Sequence, residues 1–343
     1  MRTSDFDYPF DESLIAKYPL KERDLSKLMV VHTKNKTIEH RIFRDVIEYF
    51  KEGDVLVFNV TKVIPARLMS RREKTGGKVE ILISKFIDEF TVEAMVSPGK
   101  KAKIGDILCI GSSKIKISDR NDEGLRILKT NGEENFYRIV EKYGTPPIPP
   151  YLKRESEELD KERYQSVFAR IDGSCAAPTA SLHFTSNLIE KIKKKGVIIT
   201  EVLLHVGIGT FRPVKTDNPE EHKMHTEYYR LSEETAAIIN RAKKEGRRIF
   251  AVGTTTVRVL ETCATESGTL QPGEGETDIF IYPPYKFKII DNLITNFHFP
   301  RSTLIMLVCA LGGKDTILNA YKIAVEKRYR FYSYGDAMLI LNK

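Results

Sequence analysis

The sequence predicts an α/β protein: a large mixed α/β domain whose mainly parallel sheet carries helices on both faces, with a small all-β barrel domain inserted into it. Helix and strand patterns alternate from about residue 164 onward, which is the rhythm of a covered parallel sheet. Short strands separated by tight turns fill residues 67–129, the pattern of a small barrel or sandwich. A stiff proline-rich run, GTPPIPP (144–150), then returns the chain from one regime to the other. At 343 residues the chain exceeds the usual size of a single core. The expected division is residues 1–64 with 150–343 as the large domain and 65–149 as the insert.

In chain order, Pro9 and Pro19 bracket a short helix over 12–17, residues 28–31 read as a strand paired with 38–40, and 44–50 reads as a helix stopped by Gly53. Residues 55–58 are consecutively apolar, as a strand buried on both faces requires. Barrel strands fall at 79–83, 91–96, 107–110, 114–118 and 125–128, and the paired glycines of TGGK (75–78) mark a hairpin turn. A short helix covers 136–143. Helices at 185–195, 232–245 and 254–266 then alternate with strands at 197–206 and 248–252, with Gly196 and Gly246 closing the first two helices. Ile289, Ile290, Leu293 and Ile294 give a buried strand interrupted by Asp291 and Asn292. An apolar helix opens at residues 300–303, another covers 315–327, and the aromatic tail YRFYSYGDAMLI ends in a strand.

Hydrophobic residues make up 41% of the chain, enough for a real core. The start, MRTSDFDYPFDESL, is acidic and aromatic where a secretory leader is basic and apolar, and the longest apolar runs are too short to span a bilayer. A soluble, cytoplasmic protein without a membrane partner is expected. The cysteines Cys109, Cys175, Cys263 and Cys309 are widely spaced and form neither a zinc signature nor a disulfide framework. A net charge of +8 suits a polyanionic partner, although abundant Lys and Glu also fit a heat-adapted surface.

Ligand crevices of doubly wound sheets lie beyond the carboxyl ends of the strands. Three strand exits here are rich in Gly, Thr and charge. LHVGIGTFR (204–212) carries Gly207 and Gly209, but Arg212 stands where a dinucleotide fingerprint needs its third glycine and Pro213 discourages an immediate helix. VGTTTVR (252–258) offers amides and the hydroxyls of Thr254 and Thr255 to an anion or a sugar; it also reads as a well-capped helix. TNFHFPRST (295–303) sets His298 and Arg301 beside a helix start, where anions are attracted and an imidazole pKa falls, with Ser302 or Thr303 as N-cap. It reads either as an active-site wall or as a helix entry with an incidental histidine.

Other candidates are weaker. Cys175 has no identifiable base beside it and reads as packing. His222 and His225, next to Glu221, lack a zincin spacing and a third ligand, so no metal is expected. Asp278 starts a strand and reads as a carboxylate base or as a strand-edge acid.

Nine runs, in one order across nearly the whole chain, carry a specific resemblance: FNVTKVIPARL (58–68), TGGKVEILI (75–83), CAAPTASLHFT (175–185), LHVGIGTFRPV (204–214), MHTEYY (224–229), VGTTTVRVLE (252–261), TDIFIYPPYKF (277–287), TNFHFPRSTLIMLV (295–308) and YRFYSYGDAML (329–339). The chain resembles the S-adenosylmethionine:tRNA ribosyltransferase-isomerase family of queuosine biosynthesis, with Cys175 and Lys62 where the family pattern has Val and Arg. The resemblance implies an α/β domain with an inserted barrel, and S-adenosylmethionine as co-substrate with no metal or redox cofactor. It implies transfer of the donor's ribosyl part to 7-aminomethyl-7-deazaguanine at the tRNA wobble position, with loss of adenine and methionine. A monomer is expected.

Such chemistry needs a base for the acidic proton beside the sulfonium, for which His298 or Asp278 is expected, with His183 and His205 as reserve acid–base groups. Arg301, Arg258, Thr254, Thr255, Gly207 and Gly209 are expected to hold substrate, and the insert's Arg71, Arg72 and Lys78 to meet tRNA phosphates. Two rival classes are a conventional methyltransferase, which lacks a glycine-rich first loop with an acidic ribose contact, and a non-catalytic RNA-binding module, which leaves the polar strand exits unexplained.

Overall fold

Alternation inside the apolar strands sets the architecture of the computed structural model, which describes residues 1–342 apart from 123, 133, 208, 210–213 and 215. The large sheet takes β1 (Lys27–His32), β2 (Thr37–Ile42) and β3 (Val55–Asn59) from the first part of the chain; β4 (Thr61–Val63) leads toward the barrel. The barrel is closed by β5 (Arg67–Arg72), β6 (Lys78–Phe86), β7 (Thr91–Ser97), β8 (Ile107–Ile110), β9 (Ser113–Arg120) and β10 (Arg126–Thr130). Helices α1 (Phe136–Tyr143) and α2 (Glu158–Arg163) follow, then β11 (Ile171–Ser174), which pairs with β4. The rest is α3 (Ser186–Lys194), β12 (Ile198–Leu204), β13 (Glu227–Leu231), α4 (Glu233–Lys244), β14 (Ile249–Val252), α5 (Thr254–Thr262), β15 (Gly273–Thr277), β16 (Asn292–Asn296), α6 (Thr303–Gly312), α7 (Lys314–Glu326) and β17 (Ala337–Leu341).

Nine strands form the large sheet in the order β15-β13-β12-β3-β14-β16-β17-β1-β2. Met29, Val31, Val55, Val57, Ile249, Ala251 and Leu293 belong to one core, which α4, α5, α6 and α7 cover. Their neighbours Leu28, Val30, Leu56, Phe58, Phe250, Val252 and Ile294 belong to a second core, under α3 and a 3-10 helix at Phe43–Tyr49. A strand apolar on both sides needs cover on both sides, and the sheet has it. The expectation of a mainly parallel sheet holds for the central run β12-β3-β14-β16. Across the whole sheet the pairings divide evenly: four are parallel and four antiparallel. The antiparallel ones arise where a short return brings β2 back beside β1, where β13 lies between β12 and β15 at one end of the sheet, and where β17 inserts between β16 and β1.

The barrel core takes the inward positions Leu68, Ile81, Ile83, Val92, Ala94, Leu108, Ile115, Ile117 and Leu128. Helix α1, capped by Asn135, adds Phe136, Ile139 and Val140. Cys175 joins this core from the large domain, its thiol donating to the Ile83 carbonyl at 2.9 Å.

Several local expectations shift for identifiable reasons. The strand expected at 289–294 starts only at Asn292, because the amides of Lys288 and Ile289 donate to the Glu261 carboxylate at 2.9 and 3.1 Å instead of entering the ladder. The segments at 12–17 and 44–50 form 3-10 helices, at Glu12–Leu14 and Phe43–Tyr49. Asp278 does not start a strand; β15 ends at Thr277, one residue earlier. Among the described residues no single helix is long and apolar enough to cross a membrane; α6 and α7 pass that test only together, across a bend of 117°.

Candidate active site

At the carboxyl ends of β14 and β16 the backbone turns into α5 and α6, and a cavity of about 420 Å³ opens between the two helix starts. Gly253, Thr254 and Thr255 line one side; Thr295, Asn296, His298 and Arg301 line another. Gly253 sits at φ 86, a left-handed conformation that glycine adopts without steric cost, and no side chain caps α5. The first amides of α5 are therefore left to other acceptors. Of the three threonines, Thr256 turns inward to donate to the Val252 carbonyl at 2.8 Å, while Thr254 and Thr255 face the cavity. The buried Thr255 hydroxyl has no hydrogen-bond partner among the described residues. Helix α6 differs: Ser302 caps it, accepting the Ile305 amide hydrogen at 3.3 Å.

His298 is buried, and burial lowers its imidazole pKa to about 3, so the ring is neutral at physiological pH. Its Nε2 bonds the Thr295 hydroxyl at 2.8 Å, its amide donates to the Tyr321 hydroxyl at 3.1 Å, and the Tyr8 hydroxyl donates to its carbonyl. These contacts fix the ring while leaving Nδ1 without a protein partner among the described residues. Arg301, exposed and at φ 58, pairs with Asp7 at the cavity rim.

His183 does not line this cavity. It lies one layer behind, its Nδ1 on Ser26 at 2.7 Å and its Nε2 on the Asn296 amide at 3.1 Å, with burial lowering its pKa to about 3. Asn296 joins the two, since its carbonyl oxygen also accepts from the cavity-lining Thr179 at 2.9 Å.

His205, Gly207 and Gly209 lie elsewhere, in an open cleft of about 840 Å³ between the barrel and the large sheet. His205 Nδ1 bonds the Thr61 hydroxyl at 2.8 Å, and burial lowers its pKa. The Gly207 amide donates to Glu227 at 2.8 Å, and Gly209 packs where a Cβ would meet the His225 ring at 2.3 Å. Arg212 and Pro213 lie outside the described residues. Arg258 is buried and engaged: it pairs with buried Glu227 and donates to the Thr277 carbonyl at 3.2 Å. Asp278 is exposed, outside the linings of both large cavities. Burial pushes the Cys175 thiol up to about 12, which makes it a poor nucleophile. Among the described residues no group of three or more His, Cys, Asp or Glu is placed to hold a metal ion.

On the barrel, Arg71 and Lys78 are exposed and directly opposite each other in the antiparallel β5–β6 pair. Arg72 is half-buried and donates to the Lys101 carbonyl at 3.1 Å.

A family model described as "Queuosine biosynthesis protein" matches residues 3–340. The chain belongs to this family. Its relatives in the queuosine biosynthesis family include S-adenosylmethionine:tRNA ribosyltransferase-isomerases of Desulforamulus reducens (51% identical over 343 residues, 99% of this chain and 100% of that protein) and Symbiobacterium thermophilum (52% identical, with the same coverage). A crystal structure of S-adenosylmethionine tRNA ribosyltransferase from Thermotoga maritima is 43% identical, with a TM-score of 0.58, covering 98% of this chain and 100% of that one.

Residue chemistry left Tyr332 and Asn296 unremarked, although both line the cavity. The signal lay in Gly335: a Cβ there would sit 2.5 Å from the Arg330 oxygen and the Phe331 carbonyl carbon, so the YRFYSYG run has to fold into a tight turn.

Proposed function

We propose that this member of the queuosine biosynthesis family transfers and isomerises the ribosyl part of S-adenosylmethionine onto 7-aminomethyl-7-deazaguanine at the tRNA wobble position, with release of adenine and methionine. The observation that carries the placement is the uncapped start of α5, opening into a cavity beside the Thr255 hydroxyl, which has no partner among the described residues. The donor occupies this cavity, with its carboxylate toward the α5 amides, Thr254 and Thr255, and with Arg301 at the rim. His298 is the base for the carbon beside the sulfonium. Burial keeps its ring neutral and so able to accept a proton, and the adjacent positive sulfur acidifies the proton it removes. Asp278 takes no part, being exposed and outside the linings of both cavities.

The acceptor base enters through the interdomain cleft, which meets the donor cavity at Val206, a residue lining both. Arg71 and Lys78 bind anticodon-arm phosphates. Like charges directly opposite each other destabilise a sheet, and a phosphate between them relieves that repulsion. Arg72 and the wider insert, residues 65–149, act as the RNA-facing unit. The enzyme works as a cytoplasmic monomer without a metal.

Incubation with S-adenosylmethionine and tRNA carrying the deazaguanine tests the reaction. Free adenine and methionine are expected. S-adenosylhomocysteine would indicate a methyltransferase, and tRNA binding without adenine release would indicate a binding module. Charge reversal at Arg71 or Lys78 is expected to weaken tRNA binding and to lower the salt-dependence slope by about 1 for each phosphate no longer neutralised. Unchanged binding would remove the barrel face from RNA recognition.

A further inference from the structure

Tyr332 combines three features that packing alone does not explain. It is a non-glycine residue in left-handed backbone, at φ 69. Its ring is stacked on Phe299 with centroids 3.6 Å apart. Its hydroxyl is buried without a hydrogen-bond partner among the described residues, although the side chain lines the donor cavity. Left-handed backbone at a bulky residue and an orphaned buried hydroxyl both cost stability, and such features persist where the surroundings impose them.

The surroundings here do impose them. The Tyr332 amide donates to the Phe297 carbonyl at 3.2 Å, and its own carbonyl accepts from the Asn296 side chain at 3.1 Å and the Gly335 amide at 2.9 Å. Asp336 locks the turn from behind, accepting the backbone amides of Arg330 at 2.7 Å and Lys27 at 3.0 Å. The turn thus holds one phenol against one cavity wall.

That wall differs in chemistry from the rest of the cavity. Tyr151, Phe299 and Tyr332 converge there, with Tyr151 and Tyr332 centroids 4.9 Å apart. The Tyr151 hydroxyl is already bonded to Ser333 at 2.5 Å, which leaves Tyr332 with the hydroxyl to spare. Arg301 and the α5 amides mark other stretches of the lining. A flat, uncharged heterocycle with acceptor nitrogens suits aromatic walls and one donor, whereas a carboxylate gains no charge partner from them.

We infer that Tyr332 is a specificity-determining contact for the donor's adenine, giving a hydrogen bond from its hydroxyl to a ring nitrogen while the Phe299–Tyr332 stack forms the wall against the purine. This role rests on the placement of the donor in this cavity. Burial drives the Tyr332 pKa far upward, so the phenol stays protonated and acts as a donor of the hydrogen bond, not as a base.

Calorimetric titration of adenine and its 1-, 3- and 7-deaza analogues into the wild-type protein and Tyr332→Phe tests this. Tyr332→Phe is expected to bind adenine on the order of tenfold more weakly. One deaza analogue, lacking the accepting nitrogen, is expected to bind wild type equally weakly and to lose nothing further in the variant. The melting temperature is expected to hold or rise, because the substitution deletes an unpartnered buried hydroxyl. Equal weakening of all four ligands, or of none, would overturn the role, as would a fall in melting temperature that accounts for the weaker binding. Adenine release by the wild-type protein with tRNA reads the reaction independently, so a failed adenine contact and a failed reaction are distinguishable.

Discussion

The two helix starts that face the donor cavity are built differently. At α6, Ser302 caps the first turn and Arg301 is paired with Asp7, so the cap and the charge are met within the chain. At α5, Gly253 supplies no cap and the Thr255 hydroxyl is buried without a partner among the described residues. A buried polar group left unmet costs stability, and where it borders a cavity a ligand can meet it. The α6 end therefore supplies the fixed histidine, and the α5 end supplies the unmet donors. The same contrast separates the two candidate arginines: Arg258 is consumed by Glu227, and Arg301 remains at the rim.

The largest expected effect is chemical. His298→Ala is expected to reduce adenine release by about a hundredfold or more while leaving donor affinity nearly intact, as removal of a general base does. Turnover near the wild-type rate in the folded variant would leave the α6 end without a chemical role.

Arg258→Met comes next and reads out as stability. It removes the cation from a buried ion pair with Glu227, for which about 3–5 kcal/mol is expected in denaturant unfolding. Arg301→Ala breaks an exposed pair worth about 0–1 kcal/mol and is expected instead to raise the donor KM. Equal destabilisation by the two would erase the distinction between them.

Acid is expected to act through the buried histidines. His183 and His298 have folded pKa values of about 3, below the unfolded value of about 6.5. Between those values the unfolded chain binds protons that the folded chain does not, so stability falls as pH drops below about 6.5. Each histidine contributes up to about 1.4 kcal/mol per pH unit in that window. Unfolding free energies at pH 7.5, 6 and 5 check this, and a flat profile would mean that the rings are not buried as described.

The smallest expected effects compare the helix starts directly. Thr255→Val is expected to weaken S-adenosylmethionine binding about tenfold without lowering the melting temperature. Ser302→Ala is expected to cost about 1 kcal/mol of stability with donor affinity within about twofold. The reverse pattern would reassign the ligand to α6.

How much of this was legible in the sequence follows the range of the interactions. Helices closed by Gly196 and Gly246 rest on local spacing, and the structure keeps them, with Thr185 and Ser232 as their N-caps. The barrel was visible because its alternation and turns are local too. The strand expected at 289–294 shifted because its first amides bond Glu261, nearly thirty positions away, which no local pattern records. In the site, local grammar left TNFHFPRST balanced between an active-site wall and a helix entry, and the family resemblance favoured His298. Arg258 looked like a clamp because its partner Glu227 is remote in sequence, and Tyr332 was missed because its strain and its orphaned hydroxyl exist only in the folded turn.

The most direct measurement is a crystal structure of the protein with S-adenosylmethionine bound. Donor density is expected between His298, Thr255 and Tyr332, with the carboxylate at the start of α5. Density in the interdomain cleft beside His205, with the α5 cavity empty, would contradict it.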